Sequence, residues 1–404
     1  MNRGKGLGTT KENRARFSLF RGGRSAERTE GIDFYDYNLL AVVVLLTCFG
    51  LVMLYSTSAY EASVDYGNDM RFFARQAFIS AMFFVVMIYG SRIDYHWYAR
   101  YAVILYIVSN VLLIATKFVG RTINGARRWI YIGPISFQPA ELAKLAVILF
   151  IPTLIVRLGW RFRKIRVPAM VLGLGGMTAI LTYVFTDNLS TGIIIGGITY
   201  ALVFIAHPRP KWLLRITAAG LVILLIALLV LRASGNLDAG GSFRLQRIIV
   251  WLHPEENQDR GGYQVMQALY AIGSGGLFGK GLGNSTQKLG ALPEAQNDMI
   301  FSIICEELGI IGAMIVLVLF AFLLSRLVFI AMNAPDLLGS LIAAGIFAHI
   351  SLQVVLNIAV VLNVIPTTGI TLPFVSYGGT SIVFLMLEMM LALSVSGQIK
   401  MKSV

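Results

Sequence analysis

The chain has 404 residues, 56% of them hydrophobic and only 14% charged, with a mean hydropathy of +0.72. Soluble proteins carry roughly 25% charged residues, so this composition excludes a soluble globular fold, and no stretch is polar enough to form a soluble domain on a single anchor. The formal net charge is +13, and eight Lys or Arg stand against three Glu in the first thirty residues.

That basic opening, residues 1–32, lacks the apolar core and cleavage site of a signal peptide and reads as a disordered cytoplasmic arm that touches anionic membrane lipid. Nothing further supports nucleic-acid binding. The rest, residues 33–404, reads as one membrane unit. Ten largely apolar runs long enough to cross a bilayer follow at about 37–60, 72–89, 101–116, 138–158, 167–185, 189–206, 216–231, 299–326, 337–364 and 382–396. The expected fold is therefore all-α and polytopic, with ten transmembrane helices. Its largest loop, about 232–297, joins helices 7 and 8, and is too polar for the bilayer and too Gly-rich for a compact domain.

The basic arm, Arg92 with Arg100, the run RLGWRFRKIR and the run HPRPKWLLR all fall on one side. The positive-inside rule makes that side cytoplasmic, with both termini there. Loops 117–137, 232–297 and 365–381 then lie outside. Two of them break the charge rule. Lys117, Arg121, Arg127 and Arg128 occupy the first without an acid, and Arg244, Arg247, Arg260, Lys280 and Lys288 occupy the second. Outside cations at headgroup level suit an anionic ligand such as a lipid phosphate or pyrophosphate, although a few are tolerated without any role.

Acids in apolar sequence give the second clue. Glu141 and Lys144 stand three apart on one face of the fourth span and must pair or line a wet cavity. Asp298 sits where a polar loop becomes an apolar helix. It reads either as a site carboxylate or as a helix N-cap. Asp298, Ser302 and Glu306 fall at i, i+4 and i+8, and Glu388 is a lone acid in the last span. The run GSGGLFGKGLG, 273–283, fails the phosphate-loop pattern at Ser274 and Gly281 and reads as a turn-rich surface loop that lets backbone approach a ligand or helix closely. Gly192 and Gly196 read as a close-packing pair. Two cysteines, Cys48 and Cys305, make no disulfide framework, and four scattered histidines show no metal site.

Four runs carry a resemblance: NGARRWIYIGPISFQPAELAKL, GGYQVMQALYAIGSGGLFGKGLG, KLGALPEAQNDMIFSIICEELG and IPTTGITLPFVSYGGTS. Together, in this order over 124–381, the sequence resembles the SEDS family (shape, elongation, division and sporulation), and its division branch most, with the elongation and spore-cortex branches as alternatives. The resemblance implies a peptidoglycan glycosyltransferase that polymerises lipid II at the outer face of the cytoplasmic membrane during septal wall synthesis. It implies a class B penicillin-binding protein as transpeptidase partner, alongside other division-site membrane proteins. It places the catalytic aspartate on Asp298, closing the run Pro293 to Asp298, and the family's cavity pair on Glu141 and Lys144.

Under that reading Asp298 removes the proton from the attacking sugar hydroxyl. Arg127, Arg128, Arg244, Arg247, Lys280 and Lys288 are the candidates for the leaving pyrophosphate, and Lys144 for holding Asp298 ionised. A divalent cation, Mg²⁺ or Mn²⁺, is admitted as a bridge between pyrophosphate and an acid. One departure stands out. The family often reads QPDLGT between the fifth and sixth spans, and this chain reads TDNLST, with Asn188 in place of the aspartate and Asp187 just before it. A lipid flippase and a non-catalytic division scaffold are the rival functions at this stage.

Overall fold

The computed structural model describes residues 31–123, 126–133, 135–233, 243–290 and 292–402. Residues 1–30 of the expected tail lie outside the described residues. Gly31 and Ile32, expected to belong to the tail, instead begin a strand, β1 (Gly31–Phe34). The chain is a polytopic, mainly helical membrane protein. Its long helices are α1 (Tyr37–Tyr66), α2 (Arg71–Gly90), α4 (Ala102–Val119), α5 (Pro139–Leu158), α6 (Arg166–Thr186) and α7 (Leu189–Ala206), with a short α3 (Tyr95–Arg100) between α2 and α4. After α8 (Lys211–Ala233) come α9 (Phe243–Leu252), α10 (Gly262–Gly275), α11 (Ile300–Asn333), α12 (Leu337–Val361) and α13 (Gly379–Ser396). Among the described residues nine helices are long and apolar enough to span a bilayer. The expected seventh span lies in α8, many of whose side chains fall outside the described residues.

Expected and observed spans coincide within a few residues except at their ends, because apolar length fixes where a helix must exist but not where it stops. Two of the expected loops carry secondary structure of their own. Loop 232–297 is not without structure, since it contains α9 and α10. Segment FRLQRIIVWL of α9 is amphipathic, which makes a surface helix despite the polar surroundings. Loop 117–137 is also ordered, as a three-stranded antiparallel sheet of β2 (Arg121–Ile123), β3 (Ala126–Ile132) and β4 (Ile135–Phe137).

At one end of the bundle β1 pairs antiparallel with β5 (Ile399–Lys402), so the chain's two ends meet there. Asp36 caps α1 through the Leu39 amide at 2.9 Å and takes both Nε and Nη2 of Arg326 at 3.0 and 2.8 Å on one oxygen. Helix α12 is the axis of the bundle and packs against α5, α7, α11 and α13. The hydrophobic core runs continuously from Leu39 to Ile399. Of the expected glycine pair, Gly192 does pack tightly: a Cβ there would lie 2.9 Å from the Ala179 carbonyl oxygen of α6. One on Gly196 would meet nothing within 4 Å.

Helix α11 is broken at Gly309, whose φ of 68° and ψ of −169° leave the helical region. Backbone from the glycine-rich run fills the gap. Lys280 and Gly281 donate to the carbonyls of Glu306 and Glu307 at 2.9 Å each, and Ile310 donates to Gly276 at 3.0 Å. A Cβ on Gly279 would lie 2.2 Å from the Glu307 carbonyl oxygen, and one on Gly309 would lie 2.4 Å from the Gly279 nitrogen. Only glycine permits both the positive φ and that approach. The run 273–283 is therefore a loop that approaches a helix closely, although its first three residues end α10 rather than forming turn.

Candidate active site around Asp298

Asp298 precedes α11 rather than opening it. The cap position is Met299, with no side-chain cap bond, so the capping reading of Asp298 fails. Helix α11 begins at Ile300, so the expected shared face extends only from Ser302 to Glu306. The turns before it are held from several sides. Gln296 donates to Glu61 of α1 at 2.8 Å, Gln264 of α10 donates to the Pro293 carbonyl at 3.3 Å, and Asn297 bonds Glu294.

Asn357 of α12 donates to the Asp298 carbonyl at 2.8 Å and to that of Ile370 at 2.7 Å. The segment between α12 and α13 is thereby tied to Asp298, and it is stitched down along its length. Arg247 of α9 donates to the Thr367 carbonyl at 3.1 Å, Ser190 to that of Thr368 at 2.8 Å, Gln353 to that of Thr371 at 3.0 Å, and the Tyr377 amide to that of Gln296 at 2.9 Å. One helical turn after Arg247, Trp251 donates to Asn363 at 3.0 Å.

Adjacent side chains of a strand point to opposite faces, and β3 uses this to separate two arginines. Arg127 turns to the Lys117 carbonyl at 2.8 Å and the Thr122 hydroxyl at 3.1 Å, and is exposed. Arg128 turns inward and donates to the Asp187 carbonyl at 3.2 Å. Asp187 has a φ of 50° at the end of α6, and Asn188 caps α7 by accepting from the Thr191 amide at 3.1 Å. The departure from the family pattern therefore leaves the carboxylate one residue earlier, where its charge acts on Arg128.

Between Arg128 and Asp298 lies Gly369. A Cβ there would sit 3.9 Å from Arg128 Nη1 and 4.0 Å from Asp298 Oδ2. Asp298 Oδ1, Arg128 Nε, Asn357 Oδ1 and Thr368 Oγ1 are buried without a hydrogen-bond partner among the described residues. Buried polar atoms are normally paired, so four unpaired ones on residues that meet at one place point to a polar ligand there. Burial pushes the Asp298 carboxyl up to about 7, and the Glu294 charge adds to this, while its own amide, Arg247 and Arg128 oppose. Burial also pulls the Arg128 and Arg247 guanidiniums below their usual range; at Arg128 the Arg247 charge adds to this and Asp187 and Asp298 oppose, and at Arg247 Asp298 opposes. Both remain cations, since arginine does not lose its proton in proteins.

The other expected residues are placed elsewhere. Glu141 and Lys144 pair at 2.8 Å inside the bundle, and Lys144 also reaches Gln353 at 3.2 Å. The cations acting on Asp298 are Arg247 and Arg128. Lys280 pairs with Glu306 at 2.6 Å, and Lys288 pairs with Glu307 at 2.7 Å and the Ser56 hydroxyl at 3.0 Å. These two lysines neutralise acids beside the break in α11, because a buried carboxylate needs a counter-charge. The side chain of Arg244 lies outside the described residues. Among the described residues no group of three His, Cys, Asp or Glu gathers as metal ligands. Sequence reasoning missed Gln353, Asn357 and Gly369. A signal was present for two of them, since His349, Gln353 and Asn357 form a polar stripe at every fourth residue of an apolar span.

Comparison with known proteins gives the family and the fold. The model of the FtsW, RodA and SpoVE family, described as cell cycle protein, matches residues 36–401. The stage V sporulation protein E of Bacillus subtilis is 37% identical over 366 residues, covering 89% of this chain and 96% of its own. A probable peptidoglycan glycosyltransferase FtsW of Geobacter metallireducens is 35% identical over 377 residues, covering 91% and 96%. A chain from a solved structure described as the structural coordination of polymerization and crosslinking by a peptidoglycan synthase complex superposes with a TM-score of 0.70 at 27% identity, covering 90% of this chain and 97% of that one. The rod shape determining protein RodA of Thermus thermophilus superposes with a TM-score of 0.63 at 28% identity, covering 90% and 96%. With nearly its whole length matched in sequence and in fold, this chain belongs to the FtsW, RodA and SpoVE family of cell cycle proteins.

Proposed function

We propose that this chain is a peptidoglycan glycosyltransferase that joins lipid II into glycan strands, with Asp298 as general base. The observation that carries the reading is the Asp298 carboxyl, held by its backbone, unpaired at Oδ1 and pushed up to about 7 between two arginines. A base is most effective when its pKa lies near the working pH, and such a base contributes typically about 10²–10⁴-fold. Asp298 removes the proton from the 4-hydroxyl of one sugar as that oxygen attacks C1 of the other. Polyprenyl pyrophosphate leaves, and direct displacement inverts C1. Arg128 and Arg247 meet the charge that gathers on the leaving pyrophosphate. A divalent cation is compatible with pyrophosphate beside Asp298, and would share that charge.

The positive-inside pattern puts the Asp298 end outside the cytoplasmic membrane and both termini inside. The polyprenyl tail stays in the bilayer while the headgroup enters between the sheet of β2 to β4, α9 and segment 362–378. Division at the septum, together with a class B penicillin-binding protein that crosslinks the product, is the setting we assign. Use in spore cortex synthesis is the second reading, favoured by the identity to the sporulation protein.

The test is polymerisation of lipid II by the purified chain, alone and with its transpeptidase, for the unaltered protein and for Asp298→Ala. Polymer from the former and none from the latter supports the reading. Equal polymer from both removes Asp298 as base, and no polymer under either condition favours a flippase or scaffold.

A further inference from the structure

Helix α12 carries His349, Gln353 and Asn357 at every fourth position, all buried. Asn357 serves Asp298. The other two belong to a network that the chemistry above does not use. His349 Nε2 lies 2.7 Å from Gln353 Oε1, and its Nδ1 lies 2.7 Å from Glu388 Oε2 of α13. The same Gln353 oxygen accepts from Lys144 Nζ, while Gln353 Nε2 donates to the Thr371 carbonyl at 3.0 Å.

Donor and acceptor logic fixes the Gln353 amide and the His349 Nε2 hydrogen. A lysine ammonium only donates, so the Gln353 atom facing it is oxygen. That oxygen only accepts, so His349 Nε2 carries a hydrogen. One proton is then shared between Nδ1 and Glu388 Oε2, and the dyad is neutral as a pair on whichever atom that proton rests. Lys144 and Glu141 also cancel. Four ionisable groups are thus buried in apolar surroundings with no net charge.

Such a network is costly. Glu388 Oε1 and Glu141 Oε2 have no partner among the described residues, and well-packed leucines would hold the helices together at least as firmly. What leucine cannot do is fix an amide. Gln353 is gripped on its oxygen from two sides, so its nitrogen has one direction left, toward Thr371. Thr371 follows Ile370, which shares the Asn357 amide with Asp298, and Ile370 follows Gly369, which separates Asp298 from Arg128.

We infer that His349 and Glu388 are positioning residues for glycosyl transfer. The dyad orients Gln353, Gln353 anchors Thr371, and the segment Gly369 to Thr371 is thereby held against Asp298. The catalytic consequence rests on the function proposed above, whereas the anchoring of the segment does not. Neither residue touches the proposed substrate site, so their loss misplaces Asp298 without weakening capture of the headgroup. A displacement of about 1 Å costs on the order of 10²-fold in rate.

The test uses the full-length chain in the polymerisation assay, with kcat and KM for lipid II resolved, and amide hydrogen exchange over residues 370–377. Glu388→Leu and Gln353→Leu should each lower kcat about 10- to 100-fold with KM within about threefold. Their double variant should be no worse than either single, since both act through one amide. Glu388→Gln should stay near the unaltered protein, because its amide donates to Nδ1 and leaves the Nε2 hydrogen in place. Exchange at 370–377 should quicken in both Leu variants and not in Glu388→Gln. If Glu388→Leu fails to fold, Gln353→Leu decides by the same criteria. Unaltered exchange and kcat in the Leu variants, or equal damage from Glu388→Gln and Glu388→Leu, overturns the inference. An active Asp298→Ala would defeat Asp298 as the base and nothing else, and the exchange measurement would still judge the dyad.

Discussion

Asn357 holds Asp298 by its backbone and leaves the carboxylate untouched. The amide donates at 2.8 Å to the Asp298 carbonyl, and its second bond, at 2.7 Å, goes to Ile370. The carboxylate is therefore aimed without being neutralised. Asn357→Leu keeps the branched shape but leaves two buried carbonyls unpaired, each worth about 1–3 kcal/mol. Polymerisation should fall at least about tenfold and the thermal midpoint in detergent should drop, measured on the same preparation.

The elevated Asp298 carboxyl sets a pH profile. A general base works when deprotonated, so kcat/KM should be flat above about 7 and fall about tenfold per pH unit below it. Glu294 raises the carboxyl, so Glu294→Gln should move the acid limb to lower pH. Arg247 lowers it, so Arg247→Gln should move the limb higher. Initial rates of polymerisation across pH 5–9 would read both shifts.

Arg127 and Arg128 are neighbours in sequence with opposite tasks. Arg128→Ala removes the inward cation, and kcat/KM should drop by about 10²–10³, the range for loss of one charge-stabilising donor. Arg127→Ala removes an exposed side chain bonded to Thr122 and Lys117, and should stay within about threefold. Comparing the two variants in one assay separates a local charge requirement from general basicity of the loop.

Gly369 tests the space between base and cation. Its φ of 69° disfavours any side chain, at roughly 1–2 kcal/mol. A side chain there also grows between Arg128 Nη1 and Asp298 Oδ2. Gly369→Val should abolish polymer formation while the protein still elutes as a folded species on size exclusion.

Lys288 should matter for stability rather than chemistry. Lys288→Ala leaves the Glu307 charge buried without its counter-charge, with only the Ser56 hydroxyl and the Ser285 amide still donating to it, at up to about 3–5 kcal/mol. The double variant Lys288→Met with Glu307→Gln should recover most of the thermal midpoint, because the stranded charge goes with its partner.

The fold was largely legible in the sequence, because an apolar run of sufficient length has one stable form in a bilayer. Asp298 and the Glu141–Lys144 pair were legible for a related reason: charge in apolar sequence requires an explanation. The cations were not sortable. Arg128 differs from Arg127 only by strand register, and Lys280 and Lys288 differ from Arg247 only by which acid the folded loop brings near them. Gly369 was invisible, since its part depends on two side chains more than seventy residues away in sequence.

The break at Gly309 divides α11 into unequal parts. Below it, Ile310 to Asn333 is about 36 Å long, which suits a hydrocarbon layer of about 30 Å. Above it, the shorter piece beside Asp298 is bolted to the glycine-rich loop by backbone hydrogen bonds. The lower piece is a post matched to the bilayer, and the upper piece is a bracket fixed to the headpiece. Ile310 and Ile311 on the post bond Gly276 and Leu277 of the same loop, so the loop splints the break from both sides and the post hands its fixed depth in the bilayer to the bracket beside Asp298.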